Sequence, residues 1–315
     1  MSDGKVNCWG MDVSGQLGDG GTATAGLAAP ATVLGIDNAT AVAAGDGFSC
    51  ALLADGAIEC WGSNNGGQLG DGGYDDSSVP VQVKGISHSV AISAGGIHTC
   101  AIASGGAVYC WGTYQGPQSD PSRDDGNQPR QVTGISGATM IATAIGNTCA
   151  IVSNGAVECW GYNDSGELGL GTTGDFTSKP RMIPGLAGVV AIAAGDEFEC
   201  AIVEAGAVKC WGLNNAGQLG NGTNNDSWRP VPVTGISGAT AIAAGDSHAC
   251  AILADATVQC WGTDSVAPDG GATVNSSTPQ PVADIAGAVA IAADGYTCTI
   301  LSGSTIQCWG PSFGG

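Results

Sequence analysis

The chain has 315 residues, 54 of them Gly and 13 Cys, with 11% charged side chains and a net charge of −20. No stretch approaches 18 consecutive apolar residues, so no membrane-spanning helix is expected, and the acidic excess repels phosphate backbones and argues against nucleic acid. An apolar fraction of 43% rules out a disordered acidic tail, and Gly without a three-residue period rules out collagen.

From the N-terminus, the first predicted element is a short strand at 4–10 that ends in Cys8-Trp9-Gly10. Its approach, Met1-Ser2-Asp3-Gly4-Lys5-Val6, matches Leu53-Ala54-Asp55-Gly56-Ala57-Ile58, as though the chain entered in the middle of a hairpin. No secretory signal precedes Met1, which fits a fragment or a single domain better than a complete precursor. At Pro30 a longer pattern begins. Residues 30–62 read Pro-Ala-Thr-Val-Leu-Gly, Ala-Thr-Ala-Val-Ala-Ala-Gly, Ser-Cys-Ala-Leu-Leu and Ala-Ile-Glu-Cys-Trp-Gly, four short runs of small, β-branched or aromatic residues closed by Gly. None has a helical apolar period.

The pattern returns at about 80–112, 129–161, 180–212, 230–262 and 279–310, with Cys-Trp-Gly recurring every 48 to 52 residues. Four short strands per period of roughly fifty residues predict an all-β fold. The expected architecture is a single β-propeller domain, 1–315, of four-stranded antiparallel blades. It has six complete repeats and one orphan N-terminal strand, with either a seven-bladed parent or a six-bladed closure. The unpaired edge at the incomplete blade is a place for self-association.

A second Cys lies ten residues before each Cys-Trp-Gly except the first. A three-residue loop, Ala54-Asp55-Gly56, sets Cys50 opposite Cys60, within reach of a disulfide. The same register pairs Cys100 with Cys110, Cys149 with Cys159, Cys200 with Cys210, Cys250 with Cys260 and Cys298 with Cys308, leaving Cys8 unpaired. The alternative is twelve reduced cysteines serving as small core residues. Cys-x9-Cys is not a zinc spacing, and no metal or cofactor is called for. Six bridges would indicate an oxidising compartment, hence a secreted or cell-surface protein, or alternatively a periplasmic one.

No nucleophile elbow or metalloprotease helix is present, and a non-enzyme is expected. His98 and His248 share a repeat position held elsewhere by Phe48, Asn147, Phe198 and Tyr296, which points to packing or hydrogen bonding rather than catalysis. His88 stands apart. Asp46, Asp196, Asp246 and Asp294 share another position, directly after the small-residue strand, where Gly96 and Ile145 replace them. If that strand is innermost, these carboxylates ring one channel mouth and attract a cation or basic partner; otherwise they are solvated turn residues. Acidic loops at 71–76 and 163–167 resemble calcium loops faintly, without the ligand spacing. Trp228, expected in a loop at 224–229 beside Arg229, is a candidate binding anchor.

Taken in order, Asn64-Asn65-Gly66-Gly67-Gln68-Leu69-Gly70, Pro80-Val81-Gln82-Val83, Ala94-Gly95, His98-Thr99-Cys100-Ala101-Ile102 and Gly106-Ala107-Val108-Tyr109-Cys110-Trp111-Gly112 resemble a regulator of chromosome condensation repeat, in a bacterial, cysteine-paired form. The resemblance covers nearly the whole chain. Gly-Gln-Leu-Gly stands at 15–18, 67–70 and 217–220, with Glu167 replacing Gln in the fourth linker; the linkers at 117–126 and 266–272 lack it and read as drifted or binding loops. The resemblance implies seven blades. It also implies guanine-nucleotide exchange with chromatin association as one alternative function, and enzyme inhibition as a second. Acidity and cysteine pairing favour an extracellular, non-enzymatic scaffold for a protein or glycan partner.

Overall fold

The computed structural model describes residues 4–113, 126–263 and 275–310. Among these residues there are seven antiparallel sheets and no α-helix, with one 3-10 turn at Glu204–Gly206. The opening sheet has two strands, Asn7–Asp12 and Ala23–Thr32. The second sheet has four, Ala39–Gly45, Phe48–Leu53, Ile58–Gly62 and Ser77–Gln82, paired in that order. The third, fourth, fifth and sixth sheets repeat this order and end with Arg130–Gln131, Thr177–Met182, Ser227–Pro232 and Ser276–Pro281. The seventh has three strands, Ala288–Ala293, Thr297–Leu301 and Ile306–Trp309.

The blade count is therefore seven, not six with an orphan. The N-terminal strand pairs with Ala23–Thr32, Cys8 facing Ala31. The expected grouping 30–62 also changes, because its Pro-containing run belongs to the preceding sheet. In the second sheet Val81 pairs with Cys60 and Ser77 with Gly62, and Pro80 falls in the bulge between. An edge strand at a bulge is where a residue without an amide donor fits. The long linker at 63–76 thus joins the third and fourth strands of one sheet, whereas the short segment 83–88 passes to the next.

The chain forms two compact units, 1–146 and 147–315. In unit 1, Phe48, Cys50, Leu52 and Ile58 of the second sheet pack on Ala101, Trp111, Ile92 and Ala94 of the third. In unit 2, Phe198, Cys200, Ile202 and Val208 pack in the same way on Ala244, Ala249, Ala251 and Trp261. The hairpin of the second sheet is apolar on both faces, with Ala51 and Trp61 toward the opening sheet and Phe48, Cys50 and Leu52 toward the third.

All six expected disulfides are formed, Cys50–Cys60, Cys100–Cys110, Cys149–Cys159, Cys200–Cys210, Cys250–Cys260 and Cys298–Cys308. Each joins the second and third strands of one sheet at directly opposed positions, for example Cys200↔Cys210. Cys8 is free, and burial with the nearby Asp12 pushes its thiol up to about 11. The divergent linkers, at 117–125 and 266–272, lie outside the described residues.

Candidate functional site

The first strand of each of the second to seventh sheets is built from residues such as Ala39-Thr40-Ala41-Val42-Ala43-Ala44-Gly45 and carries no charged side chain. Small residues let neighbouring sheets approach closely here, and the closing Gly is required sterically. A Cβ at Gly95 would lie 2.5 Å from the Thr143 and Ala144 carbonyl oxygens, and one at Gly195 2.6 Å from that of Gly245.

The turn after this strand holds the acidic candidates. In unit 2, Asp196, Asp246 and Asp294 occupy it on three consecutive sheets, Asp196 half-buried and the other two exposed. The Asp246 amide donates to the Asp294 carbonyl at 3.4 Å, linking adjacent turns. In unit 1 the turns carry Asp46, Gly96 and Ile145, and the Asp46 amide donates to the Gly96 carbonyl at 2.8 Å. The acidic turns of the fifth, sixth and seventh sheets thus follow one another within unit 2, and Asp46 belongs to unit 1.

Trp228 lies within the outer strand Ser227–Pro232, not in a loop, and is 48% exposed. It covers Gly166 of the preceding sheet's linker, where a Cβ would meet its indole at 2.6 Å. Arg229 similarly covers Gly171. The row Phe198, Gly212, Ser227 runs across the fifth sheet from the Asp196 turn to the start of Trp228's strand. Asp196 and Trp228 are therefore at the same end of that sheet, where Phe198 and Ser227 stand two strand spacings, or roughly 10 Å, apart.

That end also carries the long linkers, whose acidic and amide side chains hold the loops together. Asp71 accepts from the Gly73 amide at 3.0 Å and from Asn64 Nδ2 at 3.2 Å, and Asp76 accepts from the Asn64 amide at 2.7 Å. Asn64, Asn163 and Asn214, all buried, each accept from the Leu amide five residues on, at 2.9–3.1 Å. The acidic side chains of 71–76 thus brace their own loop. Among the described residues no group of three or more His, Cys, Asp or Glu is arranged to hold a metal ion.

His98 and His248 are both buried, each opening the second strand of its sheet. His248 Nε2 and Thr297 Oγ1 of the next sheet are 2.6 Å apart. His98 is fully buried, and desolvation pushes it down to about 4. The equivalent Asn147 donates from Nδ2 to Glu199 Oε1 at 2.6 Å, and Glu199 Oε2 is buried without a hydrogen-bond partner. Desolvation holds the Glu199 carboxyl well above the usual carboxylate range, opposed by the Asn147 hydrogen bond and reinforced by Glu167. The sequence reading missed Glu199. Its signal was a carboxylate where sister strands carry Ser49, Thr99, Thr148, Ala249 and Thr297.

A sequence profile of the regulator of chromosome condensation (RCC1) repeat matches residues 3–52, 55–102, 154–202 and 205–252. The human regulator of chromosome condensation is 38% identical over 66 residues, covering 21% of this chain and 16% of that protein. The chain thus aligns with about one sixth of that relative's length. Prp20p from Saccharomyces cerevisiae, whose crystal structure was described with its binding to Gsp1p and histones, has a TM-score of 0.83 at 21% identity. That match covers 97% of this chain and 80% of Prp20p. The CRINKLY WD40 ectodomain of the Arabidopsis thaliana receptor kinase ACR4 has a TM-score of 0.52 at 21% identity, over 87% of this chain and 80% of that one. These structural likenesses concern the fold.

Proposed function

The chain belongs to the regulator of chromosome condensation repeat family, and from that premise we propose that it is a non-enzymatic interaction scaffold for a basic protein surface in an oxidising, extracellular setting. The observation that carries this reading is the file of Asp196, Asp246 and Asp294 at the sheet end that also displays Trp228. An acidic row beside a half-exposed indole offers charge steering and an aromatic anchor together. The compartment is read from the six disulfides, which do not persist in a reducing cytosol. The ectodomain among the structural relatives is a precedent for this fold outside the cell. Within the described residues, no helix is long and apolar enough to cross a membrane.

Prp20p binds Gsp1p and histones, so nucleotide exchange on a small GTPase is the competing reading. The same six disulfides weigh against that reading, since such a partner works in a reducing compartment. The test is capture on arrays of basic and acidic peptides and of glycans, comparing the native protein with Asp196→Asn/Asp246→Asn/Asp294→Asn and with Trp228→Ala. Basic peptides should bind in a salt-sensitive way and lose at least about tenfold in the triple variant, with thermal stability unchanged. Equal binding by the triple variant, or selective binding of acidic peptides, would overturn the proposal.

A further inference from the structure

The outer part of the seam between the fourth and fifth sheets lies within unit 2, and three cations enter it. Arg181 stands on the outer strand of the fourth sheet, opposite Cys159. Ile183, two residues on and so on the same face, abuts Trp211 of the fifth sheet. A Cβ on Gly169 would lie 3.1 Å from Ile183 Cδ1 and 3.0 Å from the Trp211 indole nitrogen. Arg181 therefore faces the fifth sheet. Lys209 answers from the other side, since it shares a face with Trp211, whose indole donates to the Glu167 carbonyl in the fourth sheet's linker. Arg229, on the outer strand of the fifth sheet, lays its guanidinium on Gly171 of that same linker. Arg181 and Arg229 are exposed and Lys209 is half-buried.

These are three of the four Lys and Arg residues of unit 2, the fourth being Lys179. At the sister positions the seam between the second and third sheets has Val81, Tyr109 and Gln128, and that between the fifth and sixth has Val231, Gln259 and Thr278. Neither triplet is charged. Val81 and Val231 pack against the core there, so Arg181 gives up an apolar contact that its sisters make. Among the described residues no carboxylate forms a salt bridge with Arg181, Lys209 or Arg229. Three like charges in one seam repel one another, and an anionic ligand relieves that repulsion.

The strand edges beside the seam are closed to strand addition. Thr177 Oγ1 donates to the Lys179 carbonyl at 3.1 Å, and Ser227 Oγ donates to the Arg229 carbonyl at 2.8 Å. Pro180, Pro230 and Pro232 have no amide to offer. An extended peptide finds no ladder there, so a partner is held by the cationic side chains alone. We propose that this seam binds a sulfated polysaccharide, whose sulfates fork onto the Arg181 and Arg229 guanidiniums while Lys209 supplies a point charge. The site is separate from the acidic turns of the same unit. It takes from the preceding reading only the oxidising, extracellular setting, where such polymers occur.

The probe is a heparin hexasaccharide titrated calorimetrically into the full chain at low salt. The native protein should bind it, more weakly as salt rises, and should not bind neutral maltohexaose. Arg181→Gln/Lys209→Gln should weaken binding at least about tenfold with an unchanged melting temperature. The charge-matched Lys84→Gln/Lys179→Gln should stay within about twofold of native, because neither lysine is among the three cations of the seam. Asp196→Asn/Asp246→Asn/Asp294→Asn should bind no more weakly than native, which keeps this result apart from that of the acidic turns. No binding by the native protein, or an equal effect of the two double Gln variants, would overturn the proposal. So would poly-glutamate binding as tightly as the hexasaccharide, which would assign the seam to an acidic peptide.

Discussion

The indole Nε1 of Trp261 donates to the backbone carbonyl of Gln218 at 2.8 Å, reaching from the third strand of the sixth sheet to the linker of the fifth. The same bond joins Trp61 to Gln16, Trp111 to Gln68 and Trp211 to Glu167, at 2.8–2.9 Å. Beneath each ring lies the second Gly of Gly-Gln/Glu-Leu-Gly: a Cβ on Gly220 would be 2.8 Å from the Trp261 indole. The linker motif is thus a lock between neighbouring sheets. Its Gln or Glu side chain keeps it shaped by accepting from its own loop, as Gln218 Oε1 does from the Ala216 amide at 2.9 Å.

Trp261→Phe should keep most of the packing, remove the donor and leave the Gln218 carbonyl buried without it. The expected loss is about 1–3 kcal/mol in urea unfolding. A loss below about 0.5 kcal/mol would mean that the carbonyl finds water and that the lock is mainly steric.

Gly62→Ala and Gly10→Ala form a matched pair. Both place a Cβ on a backbone with φ above +100°, which costs about 1–2 kcal/mol. Only at Gly62 does the new methyl also strike the Gly47 carbonyl and the Phe48 backbone, adding about 1–3 kcal/mol of overpacking. Thermal unfolding should therefore rank Gly62→Ala well below Gly10→Ala, where a Cβ meets nothing within 4 Å, and equal melting temperatures would mean that the contacts at Gly62 relax freely.

What the sequence made legible follows from how local each feature is. The cysteine register could be read because an odd three-residue turn fixes which residues oppose one another, and all six bridges followed. The grouping of strands into sheets could not, because the long linker at 63–76 reads as a boundary while lying within a sheet. The tryptophan lock was hidden because it joins residues 43 to 45 apart through a backbone carbonyl, which carries no side-chain signal. The acidic turn position was visible as a repeat column, but the backbone hydrogen bond that links the Asp246 turn to the Asp294 carbonyl needed the fold.

Glu199 and His98 titrate in opposite senses, and this makes the pH dependence of stability testable. His98 is held down to about 4 against an ordinary value of 6.5. Its contribution is complete above pH 6.5 and is lost as the pH falls toward 4, because the unfolded chain takes up the proton first. Burial raises Glu199 well above its ordinary 4.5. The folded state therefore retains a proton that the unfolded state releases, and the stability linked to it is complete below 4.5 and lost as the pH rises through the folded value. Glu199→Gln keeps an oxygen to accept from Asn147 Nδ2 and removes the titration. The melting temperature of the variant should gain on the native protein as the pH rises above 4.5, while both fall together in acid as His98 and other groups protonate. Parallel curves at every pH above 4.5 would mean that Glu199 is ionised in the folded protein and paired by a group other than Asn147.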